Sequence, residues 1–281
     1  MARRAPQRSP AIVLGTDFLA GSEIAQARAA ELAGRHRATL HVVHAAARVP
    51  LALARRFPSL GDDKVREALH AQVEKLRDAG VDAHAHLMHG EPVKCLTTKA
   101  RSVAADLVIV GTRGSSVLTA MIGSTAERLA ALDQHRVLLV RRPTDRAYRK
   151  VVVAASEESR LREQLAAAAF VSAKPVTVLH AYQAPFEATL MSHGASMSDL
   201  SSYRMGARRE AEKSMGKLMV KVGLEPSRLM LQHGSPFQVL QRFDPQSLMV
   251  LSRGKSRARQ LLLGSVTRAV VAYGHSDVLL V

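Results

Sequence analysis

The sequence predicts an α/β protein of two tandem flavodoxin-like (Rossmann-like) domains, each a five-stranded parallel sheet with helices on both faces. Three observations carry this. Short apolar runs alternate with helical stretches along the chain, the pattern of βα units around a buried parallel sheet. The 281 residues exceed one ordinary domain and suit two, each able to bury its own core. The chain also repeats itself at five places, in the same order and at nearly constant offset.

The repeat is clearest where Ala105–Gly114 matches Pro245–Gly254, an apolar run ending in a Thr/Ser-Arg-Gly turn. Gly123-Ser124 matches Gly264-Ser265, and Arg136–Val140 matches Asp277–Val281. Upstream, His89–Val93 (His-Gly-Glu-Pro-Val) matches His233–Phe237 (His-Gly-Ser-Pro-Phe), and Leu40–Ala45 matches Thr177–Ala181, each closing on His-Ala.

In the first copy the apolar runs predict strands over Ala11–Thr16, Thr39–His44, Asp82–Met88, Leu107–Val110 and Val137–Arg141. Between them, Ser22–His36 and Lys64–Ala79 space apolar residues by three and four, as a helix does. Pro92–Ala104 opens on a proline suited to a first turn, and Ser124–Leu132 follows a serine cap. The second copy predicts strands over Val151–Ala155, Val176–His180, Arg228–Gln232, Leu248–Leu251 and Val278–Val281, with a long helix over Tyr203–Val222. Pro185–Ser202, rich in Met, Ser and small residues, predicts a mobile loop. The polar stretch Arg142–Arg149, with a strand-breaking Pro143, separates the copies. The expected domains are therefore 11–145 and 146–281, after a disordered basic tail over 1–10.

Composition narrows the class. A hydrophobic share of 47% with 23% charged residues describes a folded soluble chain, and 4% aromatic residues with no Trp predict packing by Ala, Val and Leu. The single Cys95 excludes an internal disulfide, and no apolar stretch has the length of a signal peptide or a membrane span. The expected location is the cytoplasm. Forty Lys and Arg against 24 Asp and Glu give a formal charge of +16, which attracts polyanions. The simpler source of that charge is Arg solvating Ala-rich helices, and no aromatic stacking platform or recognition helix marks a nucleic-acid binder.

Three features of the first copy converge on the carboxyl edge of its sheet, where ligands of doubly wound folds sit. Asp17 stands just past the first strand, placed to accept from a ribose hydroxyl or an adenine amino group. Gly111 and Gly114 follow the fourth strand and let backbone N–H groups approach an anion closely. Gly123, Ser124 and Thr125 then open a helix whose free N–H groups and positive dipole end face the same place. No Gly-Lys-Ser/Thr of a P-loop occurs.

On these motifs the chain, from about Ala11 to Val281, resembles the universal stress protein family. ATP-binding members of that family carry Gly-x-x-Gly, nine residues and Gly-Ser/Thr, with an Asp after the first strand. The resemblance implies ATP or a related adenine nucleotide, with magnesium as an optional companion. It implies adenine packing near Val43 and Val110, ribose contact by Asp17, and phosphates over Gly111, Gly114, Gly123, Ser124 and Thr125; Gly15 is taken with the same site. It also implies a stress-response role as a binding and regulatory module, at most a slow ATPase or self-phosphorylating protein, since no general base or arginine finger stands out.

The chain departs from the pattern in two ways. Only eight residues, Ser115 to Ile122, separate Gly114 from Gly123. In the second copy the spacer has nine, Lys255 to Leu263, but Leu251 replaces the first glycine and Ser156 the Asp. That copy is expected to be degenerate; its basic run, Arg253, Lys255, Arg257 and Arg259, is either a weak phosphate contact or a solvated loop. A nucleotide-independent scaffold with a basic surface for protein or nucleic-acid partners is the alternative reading. An adenylating enzyme is a third.

Two other candidates are weaker. His84, His86 and His89 could suggest a metal, but no carboxylate or cysteine completes a site, so none is assigned. Cys95 is expected to be a packed side chain. The short apolar edge strands Val137–Arg141 and Val278–Val281 predict a pseudo-twofold monomer or a homodimer.

Overall fold

The computed structural model describes residues 8–47, 62–112, 124–132, 134–143, 147–155, 158–253 and 264–281. Two compact units divide between Arg146 and Ala147. The first contains β1 (Ala11–Thr16), α1 (Ala20–His36), β2 (Thr39–Ala46), α2 (Asp62–Asp78), β3 (Ala83–His89), α3 (Pro92–Ser102), β4 (Leu107–Gly111), α4 (Ser124–Ala131) and β5 (Val137–Val140). Its strands run in the order β3-β2-β1-β4-β5 with parallel ladders throughout. The order reverses between β1 and β4, which opens a crevice beyond their carboxyl ends.

Burial on both faces explains why the central strands read as continuous apolar runs: Ile12, Val13, Leu14, Leu107, Val108 and Ile109 are all inaccessible to solvent or nearly so. Register puts Val13, Gly15, His41, Val43 and Val108 on one face. That face is covered by α3, whose Leu96 lies against Gly15. The other face carries Ile12, Leu14, Thr16, Val42 and His44 and is covered by α1 and α2. Ala25, Ala29, Leu32 and Ala33 form the buried stripe of α1, and Leu69, Val73 and Leu76 that of α2. Glu91 caps α3, accepting from Val93 N at 3.1 Å and Lys94 N at 3.0 Å, ahead of Pro92. The helix stops short of the predicted Ala104, which adopts a left-handed φ of 47°.

The second unit contains β6 (Val151–Ala154), α5 (Glu158–Val171), β7 (Val176–Tyr182), α6 (Glu187–Ser192), α7 (Met197–Lys221), β8 (Leu229–His233), α8 (Pro236–Gln241), β9 (Leu248–Leu251), α9 (Ser265–Tyr273) and β10 (Asp277–Leu280). Its order, β10-β9-β6-β7-β8, repeats that of the first. The predicted tandem α/β fold is thus the observed one, and each strand falls within two residues of its predicted bounds.

The repeated residues prove to be joints. His44 Nδ1 lies 2.9 Å from the Thr16 carbonyl oxygen, and His180 Nδ1 lies 3.3 Å from that of Ala155. Gly90 (φ 132°) donates to Ala46 O and Gly234 (φ 130°) to Tyr182 O, both at 3.0 Å. Positive φ makes glycine the natural residue at both turns. The preceding histidines also match, since His89 pairs with Asp62 at 2.7 Å and His233 with Glu187 at 3.1 Å.

The loop predicted over Pro185–Ser202 is instead α6 and the start of α7. Ser196 Oγ accepts from Asp199 N at 3.2 Å, and Asp199 Oδ2 accepts from Ser196 N at 3.1 Å, a reciprocal capping box. Tyr203 donates its hydroxyl to Pro185 O at 2.6 Å, and Glu187 holds both Arg204 and His233. The rest of α7 is the long helix predicted over Tyr203–Val222; its start gives no periodic signal because Leu200 is the one buried residue in the first turns. Of the basic tail expected over 1–10, residues 1–7 lie outside the described residues; Arg8 bonds Val103 O at 3.0 Å and forms an ion pair with Asp106. Among the described residues no helix is long and apolar enough to cross a membrane.

Candidate functional site

At the carboxyl end of β1 the chain makes a tight, well-bonded turn. Asp17 is exposed, and its Oδ1 accepts from Leu19 N at 3.1 Å, which steers the backbone into α1. Phe18 adopts a left-handed φ of 61°, and its ring stacks on His44 with centroids 4.6 Å apart. Thr16 Oγ1 anchors the turn by accepting from Phe18 N at 3.2 Å and Gln72 Nε2 at 3.3 Å. Phe18, His44 and Gln72 were not singled out from the sequence. His44 alone carried a signal, its place in the repeated His-Ala pair.

Gly15, Val43 and Val110 come together beneath this turn, but as core residues. Val43 and Val110 are buried, and a Cβ at Gly15 would lie 3.1 Å from both Leu96 Cδ1 and Val110 Cγ1. The absent side chain of Gly15 is therefore space taken by α3. Gly111 ends β4 against the start of α1, where a Cβ would fall 2.2 Å from Gly21 O. Only hydrogen fits there, because real Cβ atoms do not approach a backbone oxygen so closely. Ser124 opens α4 and Thr125 is half-buried within it. Arg128 on the same helix reaches the α3 cap as a 2.9 Å ion pair with Glu91. Gly114, Gly123 and the spacer between them lie outside the described residues.

The second unit solves the same packing problem with a side chain. Leu251, which replaces the glycine, is buried at the end of β9. Gln164 of α5, fully buried, donates through Nε2 to Ala154 O at 3.0 Å and Val250 O at 3.2 Å. It ties β6 to β9 at their carboxyl ends, whereas in the first unit Gly111 at the end of β4 packs on Gly21. Ser156 and the run through Lys255, Arg257 and Arg259 lie outside the described residues. Arg253 is buried, and its backbone N–H donates to Val281 O at 3.0 Å, so it is not part of a solvated loop.

The three histidines do not converge. His84 and His86 share a face with His41, whose Nδ1 is 3.0 Å from His86 Nε2, while His89 lies on the opposite face with Asp62. Burial, reinforced by Lys99, His41 and His84, lowers the His86 pKa to about 4. Burial, followed by Lys99 and His84, also lowers that of His41, against a smaller opposing effect of Asp82. Among the described residues no group of three His, Cys, Asp or Glu side chains is placed to hold a metal. Cys95 is buried, and desolvation followed by the nearby Glu91 carboxylate pushes its thiol pKa up, which disfavours the reactive thiolate.

The profile of the Universal stress protein family matches residues 10–141 and 147–281, one match per unit. The chain belongs to the universal stress protein family. Among solved structures, a universal stress protein from Archaeoglobus fulgidus DSM 4304 is 17% identical, with a TM-score of 0.64 over 98% of each chain. A protein assigned to the same family in Pseudomonas aeruginosa UCBPP-PA14 is 15% identical, with a TM-score of 0.64 over 96% of this chain and 92% of that one. A universal stress protein solved in complex with cAMP is 26% identical, with a TM-score of 0.39 over 47% of this chain and 96% of that one. No curated protein matches the sequence.

Proposed function

We propose that this universal stress protein binds ATP or a related adenine nucleotide in its first unit and acts as a cytoplasmic regulatory binding module. Magnesium would accompany the phosphates. The observation that carries the reading is the Asp17 carboxylate. It is exposed just past β1, beside the point where strand order reverses, and Leu19 N fixes its orientation. An acceptor held there can take a ribose hydroxyl at little cost in ordering, while the amino end of α4 carries the positive end of a helix dipole, which favours an anion.

Calorimetric titration of ATP, with and without magnesium, into the whole chain and its Asp17→Ala and Asp17→Asn variants tests this. Loss of the ribose acceptor is expected to weaken binding about tenfold in Asp17→Ala, the effect of one hydrogen bond to a charged group. Asp17→Asn keeps the acceptor for Leu19 and separates charge from turn geometry. Equal affinities across the three proteins would remove the site. A Gly111 variant is unsuitable for this test, because its clash with Gly21 would disturb the fold.

One observation favours a nucleotide-independent scaffold as the second reading: packing alone accounts for Gly15 and Gly111. That reading expects no heat with ATP. It expects instead nucleic-acid or protein binding that weakens steeply with salt.

A further inference from the structure

The helix that covers one face of the sheet differs between the units: α3 has eleven residues where α8 has six. Both start from a proline after an equivalent glycine turn, and they pack on the equivalent strands β2 and β7. In the second unit α8 ends at Gln241, with Arg242 as its cap. A groove of about 260 Å³ is left beside β8 and the end of α8.

Its lining is mixed in a definite way. Met230, Val239 and Phe243 supply apolar surface, and Gln232 supplies a neutral amide. The charged members are Lys150, Arg242 and Asp244. Asp244 is already engaged, with Arg149 at 3.1 Å and with Gln246 N at 2.8 Å. Lys150 and Arg242 are exposed and have no ion-pair partner among the described residues. The groove thus joins an apolar wall to two uncompensated cations.

We propose that this groove binds a small organic anion, a carboxylate or phosphate carried on an apolar body. The acid would meet Lys150 and Arg242 while the body lies on Met230, Val239 and Phe243. Apolar contact supplies attraction without direction, and the cations supply orientation and selection for negative charge. The groove opens at the amino edge of the sheet, where Leu248 N bonds Lys150 O, so it is separate from the carboxyl-edge nucleotide site proposed above.

The test uses 2-naphthoate and its neutral analogue 2-naphthol as probes of the full chain, with affinity measured by ligand-observed NMR titration. Two variants are compared with the parent: Lys150→Gln combined with Arg242→Gln, which removes the cations, and Gln232→Trp, which fills the groove. Thermal melts confirm that both remain folded. Saturable binding of naphthoate is expected in the parent, about tenfold weaker for naphthol and for each variant. No saturable binding at millimolar naphthoate, equal affinity for naphthol, or loss in only one of the two variants would each overturn the proposal.

Discussion

A hydrogen atom in place of a side chain has different consequences at Gly15 and Gly111. At Gly15 an added methyl would meet Leu96 and Val110 methyls at 3.1 Å, and flexible side chains can give by tenths of an ångström. At Gly111 it would meet the Gly21 carbonyl at 2.2 Å, and backbone cannot yield without moving α1. Urea denaturation is therefore expected to show Gly111→Ala destabilised by about 3 kcal/mol and Gly15→Ala by about 1 kcal/mol. Equal losses would mean that α1 moves freely over β4. Gly111 was expected in the site from its place after the fourth strand and Gly15 was taken with the same site, but the packing partners of neither were legible. Gly21 and Leu96 are distant in sequence, and only the parallel register brings them near. His86 makes a second residue-scale prediction. The folded chain holds its pKa at about 4 against an ordinary 6.5, through burial first and then Lys99, His41 and His84. Above pH 6.5 neither folded nor unfolded chain carries the proton, so His86 has no effect on stability there. As pH falls from 6.5 towards 4 the unfolded chain takes up a proton that the folded chain refuses, and stability drops. His86→Gln should lose less stability than the parent between pH 7 and pH 5, measured as the shift of the urea midpoint. An unchanged shift would show that His86 titrates normally.

At the scale of elements, strands were read within two residues because their apolar runs are buried on both faces and bounded by Gly, Pro and polar turns. Helices were read when one face was apolar, as in α2 with Leu69, Val73 and Leu76. The first turns of α7 have no such face. Leu200 is their one buried residue, while Met197 and Met205 are at least half exposed, so periodicity gives no signal. What starts the helix is the cap. A Ser followed three residues later by Asp was present in the sequence, but it lacked the apolar run that normally accompanies a capping box. Because this end of α7 depends on its cap more than on burial, Ser196→Ala should fray it locally, at a cost of about 1 kcal/mol. Hydrogen exchange at Asp199 and Leu200 is expected to quicken about fivefold with the thermal midpoint almost unchanged. A large fall in the midpoint would instead make α7 part of the cooperative core. The acid response of the Glu187–Arg204 pair, which joins α6 to α7, has a defined sign too. Hydrogen bonding to Arg204 holds the Glu187 pKa below its ordinary 4.5, so what this pair contributes is present above that value and lost as pH falls through the folded one.

Across the whole molecule, duplication has kept the joints and changed the crevices. The joint residues His44 and His180, Gly90 and Gly234, and Pro92 and Pro236 hold the same places in both units, since each satisfies a backbone group or fixes a turn that the fold needs. Beside the crevice between β1 and β4, Gly111 packs on Gly21, glycine on glycine, which leaves only backbone there. Between β6 and β9 the Gln164 amide bridges the two strand ends, and Leu251, in the glycine position, is buried at the end of β9. The difference was half legible: Leu251 in a glycine position was visible in the sequence, whereas Gln164 was an ordinary helix residue until register placed its amide across two strand ends. If the nucleotide reading holds, the asymmetry sets the stoichiometry. Titration with ATP should saturate at one nucleotide per chain. Replacing the first helix residue should then act in one unit only, with Ser124→Ala weakening binding several-fold and Ser265→Ala, on the exposed start of α9, leaving it unchanged. Two equivalents of ATP per chain, or equal sensitivity of the two serines, would show that a crevice bridged by Gln164 still accepts the ligand, and that bridge would no longer explain why the copies diverged.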